Sequence, residues 1–171
     1  MNFLVFSDSH GRYAVMKSVI DSHINEIDAV LHLGDGAAEV LTLRRLYPKL
    51  PIHAVLGNCD GYDYIGYGIT EELLLPAEDK MLFLCHGHRQ YVGAGHGYLT
   101  SYAKRKGADI ALFGHCHVCC EEYLPADPDI DGDKPFWIFS PGSISSPRDG
   151  KPSFGLLHIS DAGVCFSIGR L

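Results

Sequence analysis

The chain has 171 residues, of which 46% are hydrophobic and 20% are charged, and its formal net charge is −7 with histidine counted as neutral. This length supports one core, and we expect a single domain over residues 1–171. The acidic balance argues against long nucleic acid as a partner, because binding by counterion release requires clustered Lys and Arg.

The N-terminal segment MNFLVFSDSHG does not resemble a signal peptide, because no basic region precedes its short apolar run. No apolar run approaches the roughly 20 residues that a membrane span requires. We therefore expect a cytoplasmic protein with no membrane partner, in which the six cysteines are reduced thiols rather than disulfides.

The first third of the chain alternates short apolar runs with helix-like stretches. Strands are predicted at NFLVFSD, DAVLHLGD and PIHAVLGN, and helices at RYAVMKSVIDSHI and AAEVLTLRRLY. This βαβαβ order implies parallel strands joined by right-handed crossovers.

The remainder has one more helix and then only strands. EELLLPA and KMLFLCHG are two predicted strands joined by a turn, GYLTSYAKRKGA is a helix, and DIALFGH is a strand. VCCEEYL, PFWIFSPGS, SFGLLHISD and GVCFSIG then indicate a β meander, with hairpin signals at 149–150 and 161–163. The predicted fold class is α/β, with two mixed β-sheets face to face and helices outside them.

Polar side chains of a restricted kind follow the predicted strands. The carboxyl ends of parallel strands are where α/β sheets bind ligands, and carboxylate, amide and imidazole groups suit a divalent cation. One such pair alone is usually a capped strand end or a turn, whereas their coincidence at successive strand ends, flanked by glycines, indicates a site. The residues are Asp8, His10, Asp35, Asn58, His86, His115 and His117.

The order of these motifs resembles the signature of the calcineurin-like metallophosphoesterase superfamily, which runs D-x-H, G-D, G-N-H-[ED], H and G-H-x-H. The matching segments are DSH at 8–10, GD at 34–35, GNCD at 57–60, H at 86 and GHCH at 114–117. The strands that follow fit the family's four-layer α-β-β-α sandwich. The short length and the GNCD variant are similar to the small single-domain phosphodiesterases of bacteria and archaea in that superfamily.

This resemblance implies a cofactor of two divalent metal ions, with Mn first and Ni, Fe, Co or Zn as other candidates, because the ligand set has no thiolate. It implies hydrolysis of a small phosphodiester by in-line attack of a hydroxide that bridges the ions. Two ions, two aspartates and one hydroxide leave a net charge of +1, which attracts a phosphate ester to an acidic protein. The implied ligands are Asp8, His10 and His117 for the first ion, Asn58, His86 and His115 for the second, and Asp35 as the bridge.

Cys59 departs from the family pattern, because it stands where the family has the GNH histidine that contacts phosphate and helps to protonate the leaving group. A thiol is a poor general acid at neutral pH. His88 or a metal-bound water could replace it, although His88 could equally be a supporting or surface residue. Asp60 either orients a ligand or caps a turn.

Substrate contacts are sought among residues close to the ligands in sequence. Arg12 and Arg89 could bind phosphate together with Asn58, or could face solvent. Tyrosines in the loops 60–70 and 87–97 could stack on substrate or pack a subunit interface, so a homo-oligomer stays open.

Two alternatives to a phosphodiesterase remain: a phosphomonoesterase, and a protein-binding scaffold of the same fold with weak or no catalysis. A scaffold needs no ligand set, and all seven positions are present, which favours an enzyme. CHVC at 116–119 has no second C-x-x-C and is not expected to bind metal. DPDIDGD at 127–133 lacks the glutamate of a calcium loop and is expected to be a solvated acidic loop.

Overall fold

The computed structural model describes residues 1–129, 132 and 134–171, so that part of the expected acidic loop, residues 130, 131 and 133, lies outside the described residues. In chain order the elements are β1 (Asn2–Phe6), α1 (Tyr13–His23), β2 (Ala29–His32), α2 (Ala37–Leu46), β3 (Ile52–Ala54), β4 (Glu72–Ala77), β5 (Lys80–Cys85), α3 (Gly97–Arg105), β6 (Ile110–Leu112), β7 (Cys119–Leu124), β8 (Phe136–Pro141), β9 (Ser153–Ser160) and β10 (Gly163–Arg170). Short 3₁₀ helices cover Tyr62–Tyr67 and Val92–Ala94. In the described part of the chain, no helix is long and apolar enough to cross a membrane.

The strands form two five-stranded mixed sheets. The first has the order β10-β9-β1-β2-β3, in which β1, β2 and β3 are parallel and the β9–β10 hairpin is antiparallel to β1. The second has the order β4-β5-β6-β8-β7, in which β5, β6 and β8 are parallel and the outer strands are antiparallel. The βαβαβ prediction for the first third of the chain is confirmed.

Three apolar clusters define four layers. The central cluster joins the inner faces of both sheets, with Phe3 and Leu31 from the first and Leu84 and Leu112 from the second. A second cluster packs α1 and α2 on the outer face of the first sheet, and a third packs α3 on the outer face of the second. The predicted α/β fold with two face-to-face sheets and flanking helices is therefore confirmed.

The predicted meander is wrong in its pairing. β7 and β8 form a hairpin in the second sheet, and β9 and β10 form a hairpin in the first, so the chain crosses between sheets after β8. The hairpin signal at Asp161–Gly163 is correct, whereas Asp149–Gly150 lies in the crossing segment and its aspartate accepts hydrogen bonds from Cys119 N and Arg170 instead. Strand pairing depends on long-range burial that the local pattern does not contain.

Candidate metal centre

The predicted ligands meet where strands of both sheets end. β1, β2 and β3 lead into Asp8, Asp35 and Asn58, while β5 and β6 lead into His86 and the segment 115–117. Parallel strands present their carboxyl ends at one edge, so ligands that are far apart in sequence are brought together there.

The backbone at this edge is unusual. Non-glycine residues with positive φ are uncommon and cluster at functional sites, because the conformation is strained. Only Glu78 and Tyr91 share it elsewhere among the described residues. The residues at the edge are Asp8 (φ 53°), His10 (φ 40°), Asp35 (φ 57°), His115 (φ 69°) and His117 (φ 57°).

Asp8 is fully buried, and its two carboxylate oxygens differ in their hydrogen-bond partners. Oδ2 accepts hydrogen bonds from the Ser7 hydroxyl (2.5 Å) and from the His115 backbone N–H (3.1 Å). Oδ1 is buried without a hydrogen-bond partner among the described residues, and lies 3.1 Å from Nε2 of His117. A buried carboxylate oxygen without a donor is costly unless a cation compensates it.

Two histidines point their free ring nitrogens at carboxylates. Nδ1 of His86 lies 2.7 Å from the Leu33 carbonyl, and Nδ1 of His117 lies 2.6 Å from the Ser146 carbonyl, so each Nδ1 must carry the proton. In the neutral ring Nε2 is then an acceptor, and it faces Asp8 in both cases, at 3.9 Å for His86 and 3.1 Å for His117. Carbonyl-bound Nδ1 with free Nε2 is the usual arrangement of a histidine that ligates metal.

Asp35 lies beside the same atoms. Its Oδ2 is 3.5 Å from Nε2 of His86 and 3.9 Å from Nε2 of His10, and its Oδ1 accepts the Cys59 backbone N–H at 2.8 Å. Burial opposes ionisation, yet hydrogen bonding and attraction to His86 hold the pKa of Asp35 well below its usual range. Burial lowers the pKa of His86, but the hydrogen bond to Asp35 and the charges of Asp8 and Asp35 outweigh it, and that pKa is raised. The carboxylates therefore attract positive charge to this point.

The acceptor atoms fall into groups of a size that suits cations. Ligand atoms of Asp8, His10 and His117 lie within 4.8 Å of one another, and so do those of Asp8, Asp35 and His86. The first group is the predicted first-ion set. We call the seven predicted ligands the metal centre, because crowded carboxylate and imidazole groups suit divalent ions, and metal binding by all seven stays a prediction.

Asn58 and His115 also lie at the centre. Oδ1 of Asn58 is 3.1 Å from Nε2 of His86, and the His115 ring centroid is 5.2 Å from that of His86. His115 belongs to none of the close ligand groups found among the described residues, so its assignment as a ligand rests on this ring contact and on the resemblance.

Asp60 holds the loops beneath the centre in place. Its carboxylate accepts backbone N–H groups of Asp35 (2.8 Å), Gly36 (3.1 Å), Ala37 (2.9 Å) and Gly57 (2.8 Å). Since α2 begins at Ala37, Asp60 both caps this helix and fixes the backbone of Asp35. Both roles considered for Asp60 are therefore present.

Cys59 and His88 flank the ligands. Sγ of Cys59 forms a close group with His10 and Asp35 ligand atoms, and burial followed by Asp35 raises the pKa of this thiol to about 11. The His88 ring centroid lies 5.4 Å from that of His86, and its Nδ1 is buried without a hydrogen-bond partner in the described part of the chain. Burial and the nearby His86 charge lower the pKa of His88.

The two arginines differ in their surroundings. Arg89 donates to Glu71 (2.7 Å) and to the Tyr62 hydroxyl (2.8 Å), and these two partners line a cleft of about 160 Å³ together with Asn58 and His88. Arg12 is exposed just before α1. Contact of either arginine with phosphate stays a prediction.

Several supporting residues were not foreseen from the sequence. Ser143 and Ser145, in the segment between β8 and β9, donate to the Asp8 carbonyl at 2.9 and 2.7 Å. The pairs are more than 130 residues apart, so no local signal could have indicated them. Cys59 is predicted to lie at the site, but its closeness to the ligand atoms of His10 and Asp35 has no signal in the sequence.

A two-sheet α/β sandwich with carboxylates and histidines gathered at its strand ends is typical of metal-dependent hydrolases. Residues 1–162 match the calcineurin-like phosphoesterase superfamily domain, and the chain belongs to that superfamily. A curated relative, the probable metallophosphoesterase YsnB of Bacillus subtilis (strain 168), is 34% identical over 151 residues, which cover 86% of this chain and 78% of the relative.

Solved structures share the fold. A conserved uncharacterised protein of Streptococcus pneumoniae TIGR4, described as a predicted phosphoesterase, is 27% identical with a TM-score of 0.77, covering 99% of this chain and 88% of its own. A novel archaeal phosphodiesterase is 20% identical (TM-score 0.71, 99% and 100% covered). Vps29 of Entamoeba histolytica, solved with Zn²⁺, is 23% identical (TM-score 0.71, 100% and 98% covered). The last two likenesses show the fold alone.

Proposed function

We propose that this single-domain protein hydrolyses small phosphodiesters in the cytoplasm, using two divalent metal ions of which Mn²⁺ is the first candidate. The observation that carries the proposal is the arrangement of Asp8, His86 and His117. Nε2 of His86 and Nε2 of His117 face Oδ1 of Asp8, a buried oxygen without a hydrogen-bond partner among the described residues, and a cation would compensate it.

The residues divide into two sets around Asp35. We infer that Asp8, His10 and His117 hold one ion, in agreement with their close ligand group. The second ion would be held by His86 together with Asn58 and His115, both of which contact its ring. Asp35 lies 3.5 Å from His86 and 3.9 Å from His10, and so is within reach of both sets.

When bound, such a pair of ions supplies a nucleophile at neutral pH and neutralises charge on the phosphoryl oxygens. The chain's own part is to hold the ligands in position. The Leu33 and Ser146 carbonyls fix the tautomers of His86 and His117, and Asp60 fixes the backbone of Asp35. This preorganised placement is what makes electrostatic stabilisation effective.

The residues at the site offer no good proton donor for the departing alcohol. The pKa of Cys59 is about 11, so its thiol is a poor proton donor, and the lowered pKa of His88 leaves little protonated imidazole at neutral pH. We therefore expect good leaving groups such as nitrophenolate to be cleaved well and simple alkoxides slowly. The cleft beside Asn58 and His88 offers space for the second ester group of a diester.

The test compares a chromogenic bis(aryl) phosphodiester with the matching monoester after metal removal and addition of Mn²⁺. We expect metal-dependent cleavage that favours the diester, and a loss of at least about 100-fold in Asp35→Asn. Asp161→Asn, an exposed aspartate in the β9–β10 turn, is the matched control and should retain full activity. Equal activity in Asp35→Asn would contradict the assignment of the centre.

Failure of Mn²⁺, Ni²⁺, Co²⁺, Fe²⁺ and Zn²⁺ alike to support turnover would favour the scaffold alternative. A preference for the monoester would favour the phosphomonoesterase alternative. Metal content of the wild-type protein should be measured in both cases. A protein that binds metal but does not turn over has been given the wrong substrate, whereas a protein that binds no metal has been assigned the wrong metal centre.

A further inference from the structure

A second group of potential ligands lies outside the metal centre. His96 immediately precedes α3, while Cys120 and Glu122 lie two residues apart on β7, with their side chains on the same face of the strand. Nδ1 of His96 is 2.7 Å from Oε1 of Glu122 and 3.9 Å from Sγ of Cys120, and Sγ is 3.7 Å from the same Oε1. We call these three residues the thiol cluster.

The thiol cluster opens onto a cleft of about 400 Å³. Cys116 and Phe113 also line this cleft, and Phe113 packs against the His96 ring at a centroid distance of 4.9 Å. Cys119 has its thiol on the other side of β7, where it contacts the Pro141 carbonyl and Ser153. The two adjacent cysteines therefore face opposite sides of the strand, and only Cys120 belongs to the cluster.

We propose that His96, Cys120 and Glu122 bind a zinc ion at a site separate from the metal centre. Zinc takes thiolate, imidazole and carboxylate ligands in tetrahedral geometry, at about 2.3 Å for sulfur and about 2.0–2.2 Å for nitrogen and oxygen. Those lengths separate neighbouring ligand atoms by roughly 3.3–3.6 Å. The two sulfur contacts of 3.9 and 3.7 Å are already close to this, so that only the His96–Glu122 contact must widen.

The remaining coordination position faces the cleft, where water or the Cys116 thiol can complete the tetrahedron. The two sites should differ in metal preference. A thiolate ligand selects zinc over Mn²⁺, whereas a set of carboxylate and imidazole ligands accepts both ions. The Glu122 side chain is 43% exposed, so an ion can reach the site from solvent.

Binding would connect two elements through their side chains. It would tie the start of α3 to β7, whose first residue lies two positions after His117. Burial and the Glu122 carboxylate raise the pKa of Cys120 to about 12, so the free thiol is protonated at neutral pH and zinc must displace that proton. The thiol is therefore expected to be inert until metal arrives.

Cobalt(II) is the probe that tests this site, because thiolate ligation to cobalt gives a charge-transfer band in the near ultraviolet that oxygen and imidazole ligands do not give. The metal-free full-length protein is titrated with CoCl₂, and the band is followed in wild type, Cys120→Ser, Cys59→Ser and Cys165→Ser. We expect the band in wild type, its loss in Cys120→Ser, and one fewer cobalt bound per chain in that variant. Zinc should then abolish the band by displacement.

Cys59→Ser and Cys165→Ser are the matched controls, since Cys59 lies at the metal centre and Cys165 is an exposed thiol on β10. Absence of the band in folded wild type, its persistence in Cys120→Ser, or its loss in Cys59→Ser would overturn the proposal. If Cys120→Ser fails to fold, Glu122→Gln is tested in its place. This variant should weaken cobalt binding at the thiol cluster by roughly 10-fold or more. An unchanged affinity in that variant would also overturn the proposal.

Discussion

The metal centre and the thiol cluster are built differently. At the centre, Asp8 is fully buried and five of the seven ligands have positive φ. In the thiol cluster, His96 has an ordinary φ of −100° and Glu122 is partly exposed. The centre thus combines backbone strain with a buried carboxylate oxygen that has no hydrogen-bond partner among the described residues.

This contrast indicates how each site should respond to change. The ligands of the centre are fixed by backbone carbonyls, serine hydroxyls and the Asp60 carboxylate, so small displacements should strongly reduce activity. The thiol cluster lacks such strain, and its affinity would depend mainly on one thiolate. Damage to it should change metal binding and stability while catalysis continues.

The largest effect is expected from Gly57→Ala. A Cβ at Gly57 would overlap Oδ1 of Asp35, although the φ of Gly57 suits any residue. Displacing Asp35 by about 1 Å should lower Mn²⁺-dependent diester hydrolysis by about 100-fold. Steady-state kinetics on the chromogenic diester measures this loss.

Gly61→Ala is its control, because a Cβ at Gly61, four residues further along, meets open space. It should keep wild-type kinetics. Equal activity in both variants would show that the position of Asp35 does not limit the reaction.

A smaller effect, of opposite sign, is expected from Cys59→His. An imidazole at this position could protonate the leaving group, which the thiol with a pKa of about 11 cannot do well. We expect monoester turnover to rise by roughly 10-fold or more, and the diester-to-monoester ratio to fall. Cys59→Ser should show no gain, and an unchanged ratio in Cys59→His would exclude a missing general acid as the cause of the diester preference.

The smallest effect concerns the strand that carries the thiol cluster. Asp149 accepts the Cys119 N–H at the start of β7 and pairs with Arg170. Burial opposes ionisation of the Asp149 carboxyl, but the hydrogen bonds from Arg170 and from the Cys119 N–H outweigh it and lower the pKa of Asp149 to about 2. The unfolded value is about 3.9, so the stabilisation is present above that pH and is lost as the pH falls towards 2.

Asp149→Asn should therefore be less stable than wild type at neutral pH by no more than about 1 kcal/mol, since the pair is partly exposed to solvent. The difference should narrow on acidification below about pH 4. Urea unfolding of the metal-free proteins measures it, with Asp161→Asn as the control. A difference that stays constant down to about pH 2 would contradict an ionic contribution.

The layers, and the meeting of the predicted ligands at the strand ends, could be foreseen from the sequence for a physical reason. Apolar runs of strand length and the polar residues that end them are local signals, and parallel strands then place Asp8, Asp35 and Asn58 together. The interactions that support the centre are not local. Ser143 binds the Asp8 carbonyl across 135 residues, and that contact exists only because β8 and β9 lie in different sheets.

The thiol cluster also depends on contacts that the sequence does not indicate. Cys120 meets His96 because α3 packs on the outer face of the second sheet, to which β7 belongs, and no spacing in the sequence indicates this contact. Arg89 is a candidate either for phosphate contact or for a solvent-facing role, because it lies close to the predicted ligands in sequence. Its bonds to Glu71 and Tyr62 depend on the packing of loops, which the sequence does not determine.

The most direct test of the account is to count the ions at the metal centre. The metal-free protein is loaded with Mn²⁺, freed of excess by gel filtration, and examined by elemental analysis together with electron paramagnetic resonance. The account predicts two Mn²⁺ per chain that are magnetically coupled, with the coupling lost in Asp35→Asn and retained in Cys120→Ser. A single uncoupled Mn²⁺ in the wild-type protein, or coupling that survives in Asp35→Asn, would contradict a dinuclear centre bridged by Asp35.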